Sequence, residues 1–92
     1  MLGRSVNSRA VQTQNFTALF EKTGVVLKDA DVAFINLEGP LVENCPVTTV
    51  GMVFCGDTRH IDGLLSTGID IVTIANNHTG DHGTAGIITT TR

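Results

Sequence analysis

Two short apolar runs, residues 32–35 (VAFI) and 69–75 (IDIVTIA), each break off at an asparagine that opens a polar cluster. This repeated ending constrains the fold more than any other feature of the chain. Continuous apolar runs suit buried strands, and the β-branched second run, with its single charge, suits a strand covered on both faces. Asn36, Glu38, Gly39 and Pro40 end the first run, and Asn76, Asn77, His78 and Asp81 follow the second. A helix is predicted before each strand. Residues 13–23 place Phe16, Leu19 and Phe20 at i, i+3, i+4, behind Thr13 or Asn15 as caps and ahead of Gly24 as a stop. Residues 58–67 repeat the pattern with Ile61, Leu64 and Leu65, behind Asp57 as N-cap and ahead of Gly68. Alternation of this kind favours a parallel sheet with packed helices, whose ligands bind beyond the carboxyl ends of the strands. Both polar clusters fall at such ends.

The rest of the chain is less regular. Residues 41–56 read as a loop with a short extended piece, and "GTAGIITTTR" at 83–92 is a poor helix in isolation, with four threonines and Gly86. Ninety-two residues make one small domain or a piece of a larger one. With 41% hydrophobic and 16% charged residues the chain is a globular one, not a disordered one. A net charge of −3 and six scattered Lys and Arg exclude the basic stripe that a nucleic-acid partner requires. No apolar stretch approaches the roughly 20 residues that span a bilayer, and "MLGRSVNSRA" lacks the apolar centre of a signal peptide. Cys45 and Cys55 match no common zinc spacing; two free thiols are the favoured reading, and a disulfide, implying an oxidising compartment, is the alternative.

Asparagine and carboxylate oxygens with an imidazole nitrogen form a mixed donor set suited to borderline or hard divalent cations. If neighbouring parallel strands about 4.8 Å apart carry the two clusters, Glu38, Asn77 and His78 converge on one point. A metal held there polarises a phosphoryl oxygen and acidifies water, while His78, oriented by Asp81, moves a proton. The same residue types also build plain turns at strand ends, and that reading stays open. His60 is expected to be exposed on its helix, and His82 to be a pocket wall or a loop residue. The triplets "NFT" at 15–17 and "NHT" at 77–79 match the N-glycosylation pattern but are too short to carry weight.

These segments resemble the CapA-type poly-γ-glutamate capsule-synthesis proteins of bacteria, whose domain is similar to calcineurin-like metallophosphoesterases. "MLGR" at 1–4 is similar to the tail of that family's G-D-x-M-L-x-R opening, and "DVAFINLEGPL" at 31–41 to its strand ending in N-L-E-x-P-L. "GIDIVTIANNHTGDHGTAGIITT" at 68–90 resembles its G-x-D-x-V-x-x-A-N-N-H-x-x-D-x-G segment. The chain lacks a Gly-Asp before Met1 and a later Gly-His-x-His segment.

The resemblance implies an α/β chain with a partial metallophosphoesterase-like (calcineurin-like) fold. Residues 1–92 are then the N-terminal part of such a domain, incomplete at both ends. It implies divalent metal ions held by Glu38 and Asn77, catalysis by His78 and Asp81, and substrate contacts from Arg4 and Asn76. The implied role is capsule or poly-γ-glutamate synthesis at the cell surface or outside the cytoplasm. A polyanionic polymer or phosphorylated substrate and capsule-synthase membrane proteins are its expected partners, and no nucleic acid. The alternative is a non-catalytic accessory that binds the polymer or its synthase.

Overall fold

In the computed structural model, which describes residues 1–92, a parallel strand pair brings the ends of the two apolar runs side by side. In chain order the elements are α1 (Ser5–Thr13), a 3-10 turn (Ala18–Phe20), α2 (Glu21–Lys28), β1 (Phe34–Asn36), β2 (Leu41–Val42), β3 (Gly56–Asp57), α3 (His60–Ser66), β4 (Ile71–Thr73) and α4 (Gly83–Thr91). β1 pairs with β4 in parallel, with Phe34 opposite Ile71 and Asn36 opposite Thr73. β2 pairs with β3, also in parallel, as a separate two-stranded sheet. The chain is thus of mixed helix and strand with short parallel pairs, as the alternation predicted.

The β1–β4 ladder is fixed at both ends. At its start the Asp70 carboxylate accepts the Ala33 N–H at 2.8 Å, and the Asp70 N–H returns a bond of 3.0 Å to the Ala33 carbonyl. At its end the Leu37 N–H donates to the Thr73 carbonyl at 2.9 Å. The core lies beneath this ladder, where Leu37, Leu41 and Leu64 form a buried cluster flanked by Leu2, Phe20, Ile35, Ile69 and Ile74. α3 closes on the 3-10 turn at Gly63, where a Cβ would stand 2.4 Å from the Phe16 carbonyl oxygen, so only glycine allows the approach. α4 is tied to β2 by Thr90, whose hydroxyl accepts the Leu41 N–H at 3.0 Å.

Several sequence expectations need correction. Gly24 does not stop a helix: α2 runs through it to Lys28, and its missing side chain lets the helix approach Thr67. The predicted helix over 13–23 is replaced by a loop, the 3-10 turn and the start of α2. Asn15 caps that turn, its side-chain oxygen accepting the N–H groups of Thr17 at 3.2 Å and Ala18 at 2.9 Å. Asp57 lies in β3, although its carboxylate still accepts the Arg59 N–H ahead of α3 at 3.0 Å. The strands are not covered on both faces: Phe34 is 62% exposed and Ile71 50% exposed. The poor helix former at the end of the chain is a helix held by tertiary contact, because Thr90 docks on β2 through the Leu41 backbone.

Cys45 and Cys55 form a disulfide with Cα atoms 5.9 Å apart, and no free cysteine remains, which corrects the expectation of free thiols. The bridge closes the loop between β2 and β3. His60, expected to be exposed, is fully buried. It packs edge-on to Phe16, with ring centroids 5.0 Å apart, and its Nε2 lies 3.2 Å from the Asn7 side-chain oxygen. Asn7 is equally buried; its oxygen also accepts the Asp57 N–H at 2.8 Å, and its amide donates to the Cys45 carbonyl at 3.3 Å.

Candidate functional site

The second apolar run stops being a strand after Thr73, and the turn that follows is folded on its own side chains. The Asn76 side-chain oxygen accepts the His78 N–H at 3.1 Å and the Thr79 hydroxyl at 3.3 Å. The Asn76 amide nitrogen reaches across to β1, donating to the Leu37 carbonyl at 3.0 Å and to the Asn36 side-chain oxygen at 3.2 Å. The expected substrate residue Asn76 therefore joins the two strand ends. The asparagines that open both clusters are bonded to one another.

With the turn so held, His78 projects towards the end of β1. Its Nδ1 lies 2.9 Å from Asp81 Oδ2, and its Nε2 lies 4.0 Å from Glu38 Oε1. The imidazole is mostly buried, at 13% side-chain exposure, against 34% for Glu38. Its face is closed by Phe54, packed edge-on with ring centroids 4.4 Å apart. Phe54 also donates its backbone N–H to Asp81 Oδ2 at 2.7 Å. That bond, with the His78 hydrogen bond adding to it, holds the Asp81 carboxyl below the usual carboxylate range.

The electrostatics follow. An ionised Asp81 selects the tautomer in which His78 Nδ1–H donates to it, which leaves Nε2 as the exchangeable position. Nε2 faces a carboxylate across a gap too long for a direct hydrogen bond. With its lone pair on Nε2, the ring faces the Glu38 oxygen as one acceptor facing another, and a donor placed between them would bridge the gap.

The sequence predicts that Glu38, Asn77 and His78 converge, with Asp81 orienting His78; the structure brings Glu38, His78 and Asp81 together and leaves Asn77 out. Asn77 is exposed and lies outside the hydrogen bonds of the turn. Arg4 lies against Phe54, with its guanidinium 4.9 Å from that ring's centroid. Phe54 itself was missed. It belongs to a stretch read as loop, and neither its backbone N–H nor the disulfide beside it leaves a periodic mark in the sequence.

The expected divalent ion is tested by the same donors. Glu38 and His78 Nε2 are the two side-chain groups that face one another, while Asp81 Oδ2 already takes two N–H bonds. Zinc sites use at least three protein donors, whereas magnesium is commonly held by one or two carboxylates with water and substrate oxygens. No group of three His, Cys, Asp or Glu side chains in the chain is placed to hold an ion. The residues present do not by themselves complete a zinc-type site.

No helix is long and apolar enough to cross a membrane. Comparison with curated proteins and with solved structures finds no match. Comparison with protein families does: the model of the bacterial capsule synthesis protein family PGA_cap matches residues 1–92. With that match over residues 1–92, the chain belongs to the bacterial capsule synthesis protein family PGA_cap.

Proposed function

We propose that Glu38, His78 and Asp81 form the proton-transfer part of a site that cleaves or transfers a phosphoester or related bond during capsule polymer synthesis. One observation carries this reading. The His78 ring is tied at Nδ1 to Asp81 and presents Nε2 towards Glu38 at the carboxyl end of a parallel strand pair. In this arrangement Asp81 orients the ring, His78 Nε2 holds or releases a proton, and Glu38 is the acceptor facing it. Asn76 keeps the two strand ends in register while this happens. The strand pair with its polar ends is read as part of a metallophosphoesterase-like sheet, and residues 1–92 as a portion of that domain.

The Cys45–Cys55 disulfide supports a place outside the cytoplasm, because such bonds persist in oxidising compartments. A polyanionic polymer or a phosphorylated precursor is the substrate class this reading implies, with capsule-synthase membrane proteins as partners. The second reading, a non-catalytic accessory, draws on the exposed apolar residues Val32, Phe34 and Ile71 as a contact surface.

Capsule formation in a strain that depends on this gene separates the two. His78→Gln and Asp81→Asn are expected to abolish capsule polymer at unchanged protein level, while Phe34→Lys is expected to leave it. Normal capsule from His78→Gln would discard the proton-transfer reading in favour of the accessory.

A further inference from the structure

A second concave surface lies beside Arg4 and the disulfide. It is a pocket of about 280 Å³ lined by Arg4, His82, Val50, Met52 and the Cys45–Cys55 bridge, among others. Arg4 is half-buried at its rim. The guanidinium stacks over Phe54, and its Nη2 donates to the Gly51 carbonyl and lies 3.7 Å from Met52 Sδ. Its Nε is buried and has no hydrogen-bond partner. The carboxylates in ion pairs are Asp57, Glu38 and Asp81, bound to Arg59 and His78, so none of these pairs includes Arg4.

The backbone adds a separate observation. Arg4 has φ 53° and ψ −126°, whereas Gln14, also at positive φ, has ψ 33° and sits in the ordinary left-handed helical well. A non-glycine residue in the Arg4 conformation persists only where its surroundings over-determine it, and such residues cluster at ligand clamps. A buried N–H with no acceptor is also an unfavourable arrangement, which an anion beside it would relieve.

We propose that this pocket binds a singly charged oxyanion, a carboxylate or a phosphodiester, through Arg4. The apolar wall of Val50, Met52 and the disulfide takes the ligand's stem. Charge matching sets the class: one permanent cation balances one negative charge, and a dianionic phosphate monoester would leave a charge uncompensated. Phe54 connects the pocket's cation to the His78 cluster: the Arg4 guanidinium lies over its ring, 4.9 Å from the centroid, and His78 packs edge-on to the same ring at 4.4 Å. As a substrate subsite the pocket rests on the function proposed above; the binding of an anion by Arg4 does not.

The test follows the Arg4 Nε–H resonance of the ¹⁵N-labelled chain during titration with acetate, dimethyl phosphate and inorganic phosphate at constant ionic strength. A saturable shift is expected with at least one of the two monoanions, which also tells carboxylate from phosphodiester. Arg4→Gln, followed by the backbone amide resonance of Met52 that is titrated in parallel in both chains, is expected to weaken that binding about tenfold or more, the scale of a lost charged hydrogen bond. Because Arg4 also packs on Phe54, a second variant guards against misfolding. Val50→Glu, at a position 73% exposed, supplies an internal carboxylate at the pocket. It is expected to move the Arg4 Nε–H signal without ligand and to remove the titration.

Failure of both monoanions to saturate, tighter binding of phosphate dianion, or unchanged affinity in Arg4→Gln or Val50→Glu would overturn the proposal. His78→Gln is expected to bind the anion normally. Intact binding in that variant together with intact capsule would remove the His78 reading and leave the anion pocket standing.

Discussion

His78 Nδ1 and Asp81 Oδ2 lie 2.9 Å apart within one turn, and this pairing decides which nitrogen of the ring faces Glu38. Asp81 is itself fixed from outside the turn, by the Phe54 N–H at 2.7 Å. The orientation of the histidine thus depends on a loop more than twenty residues earlier in the chain, held next to Cys55.

Asp81→Asn keeps the shape of the side chain and removes its charge. Without an ionised partner at Nδ1, the imidazole is expected to populate the other tautomer, with the proton on Nε2. The ¹⁵N shifts of the His78 ring nitrogens measure this directly, in the chain alone and without any substrate. Removal of a positioned acid–base group costs about 10²- to 10⁴-fold in rate, and the effect of Asp81→Asn on turnover is expected within that range. An unchanged tautomer ratio would show that Asp81 does not orient the ring.

The β/α grammar and the three clustered residues were legible in the sequence because both leave local marks. Apolar runs ending at asparagine located the ends of β1 and β4, and Gly68, with φ +72°, stops α3 where predicted. What stayed hidden is what packing decides. α1 buries Asn7, Ser8 and Ala10, so its inward face is small and polar and shows no apolar period. His60 looked like a surface residue beside Arg59, yet Asn7 from α1 and Phe16 from the loop enclose it. The continuous apolar run at 32–35 suggested burial on both faces, but Ala33 is buried while Val32 and Phe34 are exposed.

The disulfide closes a loop with a sequence separation of 10. Loop-closure entropy assigns such a crosslink about 3 kcal/mol of stability. Cys45→Ser with Cys55→Ser is expected to lower the unfolding free energy by about that amount, measured by urea denaturation. The protein purified without reductant is expected to show no reactive thiol. The loss is expected to extend to the site, because Phe54 adjoins Cys55; the His78 ring resonances report it.

Acid is expected to weaken the fold through His60 before it reaches the carboxylates. Burial holds the His60 ring below its ordinary 6.5, against the opposing pull of Asp57, with Arg59 acting in the same direction as burial. The unfolded chain therefore takes up a proton that the folded chain resists. This contribution to stability is complete above about pH 6.5 and declines as pH falls through that value towards the folded pKa. Nδ1 of His60 has no acceptor within the fold, so protonation there leaves a buried N–H unpaired. Asp57, lowered chiefly by the Arg59 hydrogen bond, and Asp81 lose their contributions only further down, below the ordinary 3.8. Urea midpoints measured at several pH values above and below 6.5 are expected to fall on the acid side. His60→Leu is expected to flatten that slope, and an unaltered slope would place its origin elsewhere.

Phe34 and Ile71 stand opposite each other in the β1–β4 register and so share one face of the sheet. At 62% and 50% exposure this face is largely in water, whereas parallel strands are ordinarily covered on both sides. The sheet has two strands, so each strand also presents an unpaired edge. An apolar face beside open edges favours association with whatever surface covers it, including another copy of the chain. The isolated chain is accordingly expected to self-associate with rising concentration and to unfold over a broad temperature range. Phe34→Lys removes apolar surface at an exposed position, where a substitution ordinarily changes stability by no more than about 0.5 kcal/mol. It is expected to shift the chain towards monomer in sedimentation velocity at unchanged far-ultraviolet circular dichroism. If the parent chain stays monomeric at every concentration tested, the face is not adhesive and the second reading of function loses its support.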